Sequence, residues 1–317
     1  MKTVVQFIVL LIGVSLFACA YGNGVIDPSE ILSSMTAVNA IKAEGPFNLF
    51  VKTGEEAEKP SLYCDQEKPG LFEAQIKNHT LYLTSKEKHL MLSVTMRDLK
   101  NLGVNGLETV VVKAVKPAEL SIFADRITEL KLFGQFTIPM LVIEDKGDLS
   151  TSGQFDIRNI NYSADGIVDI TGLHSQQMMV KQTGSGNLSL KGYIDVINIL
   201  KAGRGDLRLW NVGSTISLWA TGQGHIELVG YAKQLKADLE GSVSLNAFGL
   251  FANHLFVSTT DKAFARIHPL NRLFAAARDS SQISYNYKPR YLYVDPLGKG
   301  LVLYSREGLG VMPTLPG

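Results

Sequence analysis

Six short stretches of the chain align without gaps: "GDLSTSG" (147–153), "GIVDITG" (166–172), "GNLSLKG" (186–192), "GDLRLWN" (205–211), "GHIELVG" (224–230) and "GSVSLNA" (241–247). Glycine opens each of them, at Gly147, Gly166, Gly186, Gly205, Gly224 and Gly241. Two residues later stands an apolar anchor, Leu149, Val168, Leu188, Leu207, Ile226 or Val243, at spacings of 19, 20, 19, 19 and 17 residues. Two further on the residue is again apolar in five of the six (Ile170, Leu190, Leu209, Leu228, Leu245), with Thr151 the exception. The column between them varies freely: Ser150, Asp169, Ser189, Arg208, Glu227, Ser244. Constant residues alternating with variable ones are the mark of a strand with one face buried.

The second half of each repeat adds another alternating pair: Met178/Val180, Ile197/Ile199, Ile216/Leu218 and Leu235/Ala237. A unit of about 19 residues carrying two short strands cannot bury its apolar face alone, so it has to stack on copies of itself. The arrangement that meets this demand is a parallel β-solenoid, each coil hydrogen-bonded to the next at about 4.8 Å. The glycines are expected where the chain turns with positive φ, or where successive coils come too close for a Cβ. Asp148, Asn187, Asp206 and Ser242 follow them as a column of small polar residues suited to a hydrogen-bonded ladder from coil to coil.

Elsewhere the chain alternates in the same style, as at Phe47, Leu49 and Val51, Leu81 and Leu83, and Ile127 to Leu132. Helical spacing is confined to a short turn over 29–36 and to "LNRLFAAAR" (270–278), which reads equally well as a strand with its flanking turn. The fold class is therefore all-β: a parallel β-solenoid of coils of about 19 residues, with extra N-terminal strands and a C-terminal strand cap. The expected organisation is an export segment at 1–20, a linker at 21–37, leading strands at 38–140, the regular solenoid at 141–268, and cap strands with a tail at 269–317.

"GSGNLSLKG", "GRGDLRLWN" and "GQGHIELVG" resemble the Gly-x-Gly-Asp-hydrophobic repeats of the bacterial auto-transporter adhesin head, GIN-domain family. "NAIKAEGPFNLFVKTG" followed by "LYLTS" looks like that family's opening strands. The resemblance covers most of residues 38–290, although Gly-x-Gly is intact only at 184–186, 203–205 and 222–224. It implies export, a β-helix-like fold and adhesion.

Catalytic constellations are sparse. Asp148, Asp169 and Asp206 are the carboxylates that a polysaccharide-processing solenoid would use, yet Asp148 and Asp206 are coils apart and Asp169 lies in a different column. The histidines (His79, His89, His174, His225, His254, His268) have no ligand spacing, so no metal or cofactor is expected. Arg204-Gly205-Asp206 spells an integrin tripeptide, but the turn and ladder columns already account for two of its three residues. Gly184-Ser185-Gly186 precedes a strand and not a helix, which removes the phosphate-loop reading. The aromatic residues Trp210, Trp219, Tyr285 and Tyr287 are left as a candidate binding surface. The leading expectation is a non-enzymatic binding or adhesin-like module of the bacterial envelope with a protein or glycan partner, and oligomerisation is open. A scaffold subunit of an envelope or secretion assembly and a polysaccharide-processing enzyme are the alternatives.

The N-terminus, Met1-Lys2-Thr3 followed by an apolar run to Phe17, has the form of a secretory signal peptide. Ala18-Cys19-Ala20 suits the ordinary signal peptidase; Leu16-Phe17-Ala18-Cys19 resembles a lipobox, which would make Cys19 a lipid anchor and the sole link to a membrane. Phe17 is too bulky for a typical lipobox, so cleavage after Ala20 is the expectation. That leaves 30 basic against 30 acidic residues, a balance that argues against nucleic acid as partner, and Cys64 as the remaining cysteine. Inhibiting lipoprotein signal peptidase in producing cells is expected to leave the processed protein unchanged on a gel. Accumulation of an uncleaved precursor would assign the lipid to Cys19 instead.

Overall fold

The computed structural model describes residues 35–54, 60–65, 70–295 and 299–305. The segment expected to direct export, with Cys19, and most of the turn expected over 29–36 lie outside the described residues; where that turn ends, Met35–Ala37 is a 3-10 helix. Everything else regular is strand, and "LNRLFAAAR" is strand too. Among the described residues no helix is long and apolar enough to cross a membrane. The chain divides into two units, Met1–Gln154 and Phe155–Gly317.

The first unit contains β1 (Ala40–Glu44), β2 (Asn48–Thr53), β3 (Ser61–Cys64), β4 (Glu73–Lys77), β5 (Thr80–Thr84), β6 (Met91–Met96), β7 (Asn101–Asn105), β8 (Thr109–Ala114), β9 (Ala118–Glu119), β10 (Ser121–Asp125), β11 (Glu129–Ile138) and β12 (Leu141–Asp145), and the start of β13 (Asp148–Ile157). Parallel pairing sets like on like: Ile41 lies between Leu81 and Leu102, and Leu49 between Leu92 and Val110. All six are buried. This is a parallel β-solenoid, with one departure from chain order. The β1–β2 coil, first in the sequence, is second in space, because β5 and β6 pair with its one edge and β7 and β8 with the other. The excursion between them supplies β3 and β4, which run antiparallel along the outer edges of β6 and β5. Both are short, and β4 exposes Glu73, Gln75 and Lys77, features that blunt a sheet edge against further pairing. Cys64 is buried on β3.

The second unit contains β14 (Asn159–Ala164), β15 (Ile167–Gln182), β16 (Asn187–Gly203), β17 (Leu207–Leu239), β18 (Ser242–Thr259), β19 (Phe264–Ala277), β20 (Gln282–Tyr285), β21 (Tyr291–Val294) and β22 (Leu301–Tyr304). Its long strands bend round the coils, and the described pairings from β14 to β22 are parallel. The anchors stack as the sequence spacing requires: Val168 on Leu188 and Leu188 on Leu207, with Met178 on Ile197 and Ile197 on Ile216 in the second half of the coil. The last aligned repeat is displaced. Ile226 pairs with Leu245, not Val243, which restores the 19-residue period, while Val243 lies beside Gly224 and Ser242 beside Gln223. Gly241 accordingly sits over Gly222 in the first column of the Gly-x-Gly turn.

That displacement follows from how the turn is filled. Inward-pointing Tyr162, Gln182 and Lys201 stand in register with one another, then Ala220 beside Lys201. The first three donate hydrogen bonds to carbonyls of the glycine turns: Tyr162 to Gly166, Gln182 Nε2 to Gly186 (2.8 Å) and Asp206 (3.1 Å), and Lys201 Nζ to Gln223 (3.0 Å) and Gly203 (3.4 Å). A Cβ on the glycine of the next coil would strike each donor: Gly186 against Tyr162, Gly205 against Gln182 at 2.9 Å and Gly224 against Lys201 at 2.8 Å. Where the inward residue is the small Ala220, the next position can be Val243. Burial pulls the Lys201 ammonium below the usual lysine range, and Asp206 offsets part of that pull.

The polar ladder runs beside these turns. Asn187 Oδ1 accepts the Asp206 N–H (3.1 Å), and Asp206 Oδ1 accepts the His225 N–H (3.0 Å). Further along, Asp261 Oδ2 accepts from the Gly241 N–H (3.1 Å), and Asp279 Oδ2 from that of Asp261 (3.3 Å).

Gly205→Ala is expected to lower stability by about 3 kcal/mol or more, because its Cβ would lie 1.9 Å from the Gly186 carbonyl oxygen, backbone that cannot move aside. Gly103→Ala, whose Cβ would meet only ordinary contacts at 3.6 Å and beyond, is the control and should change stability by less than about 1 kcal/mol. Urea denaturation of both variants reads the difference.

Candidate functional site

Because the inward positions of the second unit are fixed by stacking, its chemistry lies on outward columns. One face is built from the second strand segment of each coil. Its central column, followed through the pairing, includes Met179, Asn198 and Ser217, then Lys236, Phe256, Phe274 and Tyr293. Two residues earlier on the same strands a second column runs Gln234, His254, Arg272, Tyr291. Residues two apart on a strand share a face, so these columns lie side by side.

At the C-terminal end this face is aromatic and cationic. Phe256, Phe274 and Tyr293 are 44%, 39% and 53% exposed, and the Phe274 and Tyr293 rings stack 4.9 Å apart at 11°. Arg272 and Arg290 hold their guanidinium groups 5.4 and 5.3 Å from the centre of the Tyr291 ring. At its other end, an open groove of about 550 Å³ is lined by Asp156, Arg158, Asn159, Gln177 and Asn198, with Met179 and Val196. The amides, carboxylate and guanidinium of the groove can hydrogen-bond hydroxyl groups, and the flat apolar rings at the opposite end can stack on the faces of sugar rings.

The aromatic residues singled out in the sequence separate. Trp219 is exposed on this same face, one column beyond the central one. Trp210 belongs to the other strand segment of its coil, where it is exposed and Lys191 Nζ lies 5.3 Å from its ring centre. Tyr287 stacks on His268 at 5.4 Å, at the end of a row that runs Tyr231, Phe251, His268, Tyr287. Tyr285 points inward in register with Ile267 and is 9% exposed, so it is a core residue and offers no surface. Phe256, Phe274 and Arg272 went unnoticed in the sequence because they sit in the segment whose spacing also fits a helix or inside the repeat's second half. The signal available was their outward parity against Leu255, Leu273 and Ala275.

The carboxylates have structural partners. Asp169 pairs with Lys191 at 3.3 Å, and Asp206 is engaged in the ladder. Leu149 is buried, and a Cβ at Gly147 would lie 2.9 Å from Ile127 Cγ1. Gly166 contributes the carbonyl that receives both Tyr162 and the Asn187 N–H. Among the described residues no group of three or more His, Cys, Asp or Glu side chains could hold a metal ion.

With the coils and this face in view, comparison with known proteins places the chain. Residues 37–211 and 192–289 match the family described as "Putative auto-transporter adhesin, head GIN domain". The chain belongs to this family. Solved structures similar to it include two described as "putative adhesin", from Bacteroides fragilis (17% identity, TM-score 0.26) and from Parabacteroides merdae (17%, 0.34), each alignment covering 84% of this chain and 92% of the other. A protein of Parabacteroides distasonis described as lipid binding is 13% identical with a TM-score of 0.26, over 84% of this chain and 94% of its own. Likenesses at these scores carry no argument about the site. The chain matches none of the curated proteins.

His268 gives the stability of the second unit a pH signature. Burial between Phe251 and Tyr287 holds its imidazole below the ordinary 6.5. The unfolded chain therefore takes up a proton first, and stability falls as pH drops through 6.5 toward the folded value. His268→Phe is expected to flatten that part of the profile of melting temperature against pH; an unchanged slope would place the titration elsewhere.

Proposed function

We propose that this protein is an exported, non-enzymatic, adhesin-like module that binds a glycan along the outward face of its second unit. The carrying observation is the exposed column Phe256, Phe274 and Tyr293, flanked by Arg272, on the face whose other end holds the amide-lined groove at Asn159, Gln177 and Asn198. Solvent-exposed aromatic rings on a rigid sheet cost little to organise, since strands on both sides fix the backbone at Phe256 and Phe274 and β19 fixes it at Tyr293. Family membership supports adhesion, and the signal-peptide form of residues 1–20 supports export. The structural engagement of Asp169 and Asp206 speaks against catalysis at those carboxylates.

A glycan array probed with the purified protein, followed by calorimetry on the best ligand, tests the reading. Phe274→Ala and Arg272→Ala are each expected to weaken binding about tenfold, close to 1.4 kcal/mol, while Trp210→Ala on the other strand segment leaves it unchanged. Binding that survives the Phe256→Ala/Phe274→Ala double variant, or an array with no ligand, overturns it.

A further inference from the structure

One strand of the first unit carries a glycine that its own fold does not ask for. Gly103 stands at the centre of β7, where the lack of a side chain weakens a strand. Its φ lies outside the left-handed region, and a Cβ there would meet nothing nearer than Lys42 Cγ at 3.6 Å and the Ile41 carbonyl oxygen at 3.9 Å. Neither backbone conformation nor crowding calls for glycine here, in contrast to Gly205. The register of β7 with β1 and with β10 is unbroken, so no bulge needs it either. The remaining use of a bare backbone inside a strand is close approach by a ligand.

Gly103 is the floor of a slot with four sides. It faces outward, since Leu102 and Val104 beside it are buried. Lys42 and Phe123 flank it across the sheet, each in register with it on a neighbouring strand. The stem of Lys42 lines one wall, while its Nζ reaches the other way, 5.8 Å from the centre of the Tyr82 ring on β5. Phe123, 50% exposed, supplies the opposite wall. Along β7 itself Asn101 and Asn105 share the outward face, two residues away on each side. Asn105 Oδ1 accepts from Arg126 Nη2 (2.8 Å), so its amide presents N–H donors to the slot. The strands that bear the walls are two spacings apart, about 9.6 Å. A flat ring standing in the slot would lie one spacing from each, the separation at which Phe274 and Tyr293 stack in the second unit, 4.9 Å.

Apolar on two sides and amide-bearing at both ends, the slot suits a ring with apolar faces and a polar rim. A polypeptide strand gains nothing here, because β7 is already paired along both edges. A partner's phenyl ring would stack, but would press bare C–H edges against two amides. A pyranose has both halves: C–H faces for Phe123 and the Lys42 stem, and hydroxyl groups round the rim for Asn101 and Asn105. We infer that the slot at Gly103 is a binding site for a single sugar ring, held between Phe123 and the stem of Lys42 and oriented by Asn101 and Asn105. It lies in the first unit and does not rest on the glycan reading given to the face of the second.

Saturation-transfer NMR and calorimetry on the full chain test the site, with methyl β-glucoside, methyl β-galactoside and methyl N-acetyl-β-glucosaminide as probes and adenine as a flat ring that is not a sugar. At least one glycoside is expected to bind. Gly103→Leu, whose side chain would occupy the slot, and Phe123→Ala, which removes a wall, should each weaken that glycoside at least tenfold with the circular dichroism spectrum kept. Should Gly103→Leu unfold, Phe123→Ala and Asn101→Ala, both at exposed positions, must still weaken it. The Phe256→Ala/Phe274→Ala double variant should leave it unchanged. No binding by any glycoside, affinity indifferent to Gly103→Leu and Phe123→Ala, or adenine binding as tightly as the best glycoside overturns the inference. Binding lost only in the Phe256→Ala/Phe274→Ala variant overturns it too, and assigns the sugar to the second unit, whose own reading then stands.

Discussion

The second unit depends on what happens where its coils turn. Strands in neighbouring coils hydrogen-bond at about 4.8 Å, and the turns joining them must keep the same spacing outside the regular strand ladder. At Gly186, Gly205 and Gly224 this brings the carbonyl of one turn to where the Cβ of the next would be. The same vacancy admits the ends of Tyr162, Gln182 and Lys201, which supply the donors those turn carbonyls need. Steric space and hydrogen-bond satisfaction are thus one arrangement. A side chain placed on a glycine removes the room and the donor together, and a long inward side chain in place of Ala220 would meet Val243.

Fixing the inward half of every strand leaves the outward half free to vary. In a solenoid that freedom is organised in columns, because each outward residue has neighbours directly above and below at the strand spacing. Phe256, Phe274 and Tyr293 come from three separate strands and are far apart in sequence, yet stacking brings them into one strip. A binding surface of this kind needs no cavity and no loop. It is as rigid as the ladder beneath it, so the ordering cost on binding falls mostly on the ligand.

A solenoid also has to end, and the two units end differently. The first unit turns back on itself: β5 and β6 take the outer place, and β3 and β4 run along their edges in the antiparallel sense, β4 turning Glu73, Gln75 and Lys77 outward. Among the described residues the second unit stops with Leu292, Val294 and Tyr304 exposed. Burial is complete at Leu273 and Ala275 and gives way to exposure at the last described coil.

The period of the repeats, the alternation within them and the glycine columns are local and recur, so the sequence alone determined the all-β class, the parallel solenoid and the inward set from Val168 to Ile226. It also carried the Asn187–Asp206 ladder, since both residues follow a turn glycine at constant spacing. Three things were decided only by tertiary structure. The spatial order of the β1–β2 coil depends on which edges β5 and β7 find, a long-range choice with no local mark. The register of Val243 depends on the room left by Ala220, a neighbour 23 residues away. The aromatic strip depends on adding outward positions from successive coils, and Tyr285, read as surface in the sequence, is inward because pairing with Ile267 sets its parity. Periodicity says which residues face in; only stacking says which of them meet.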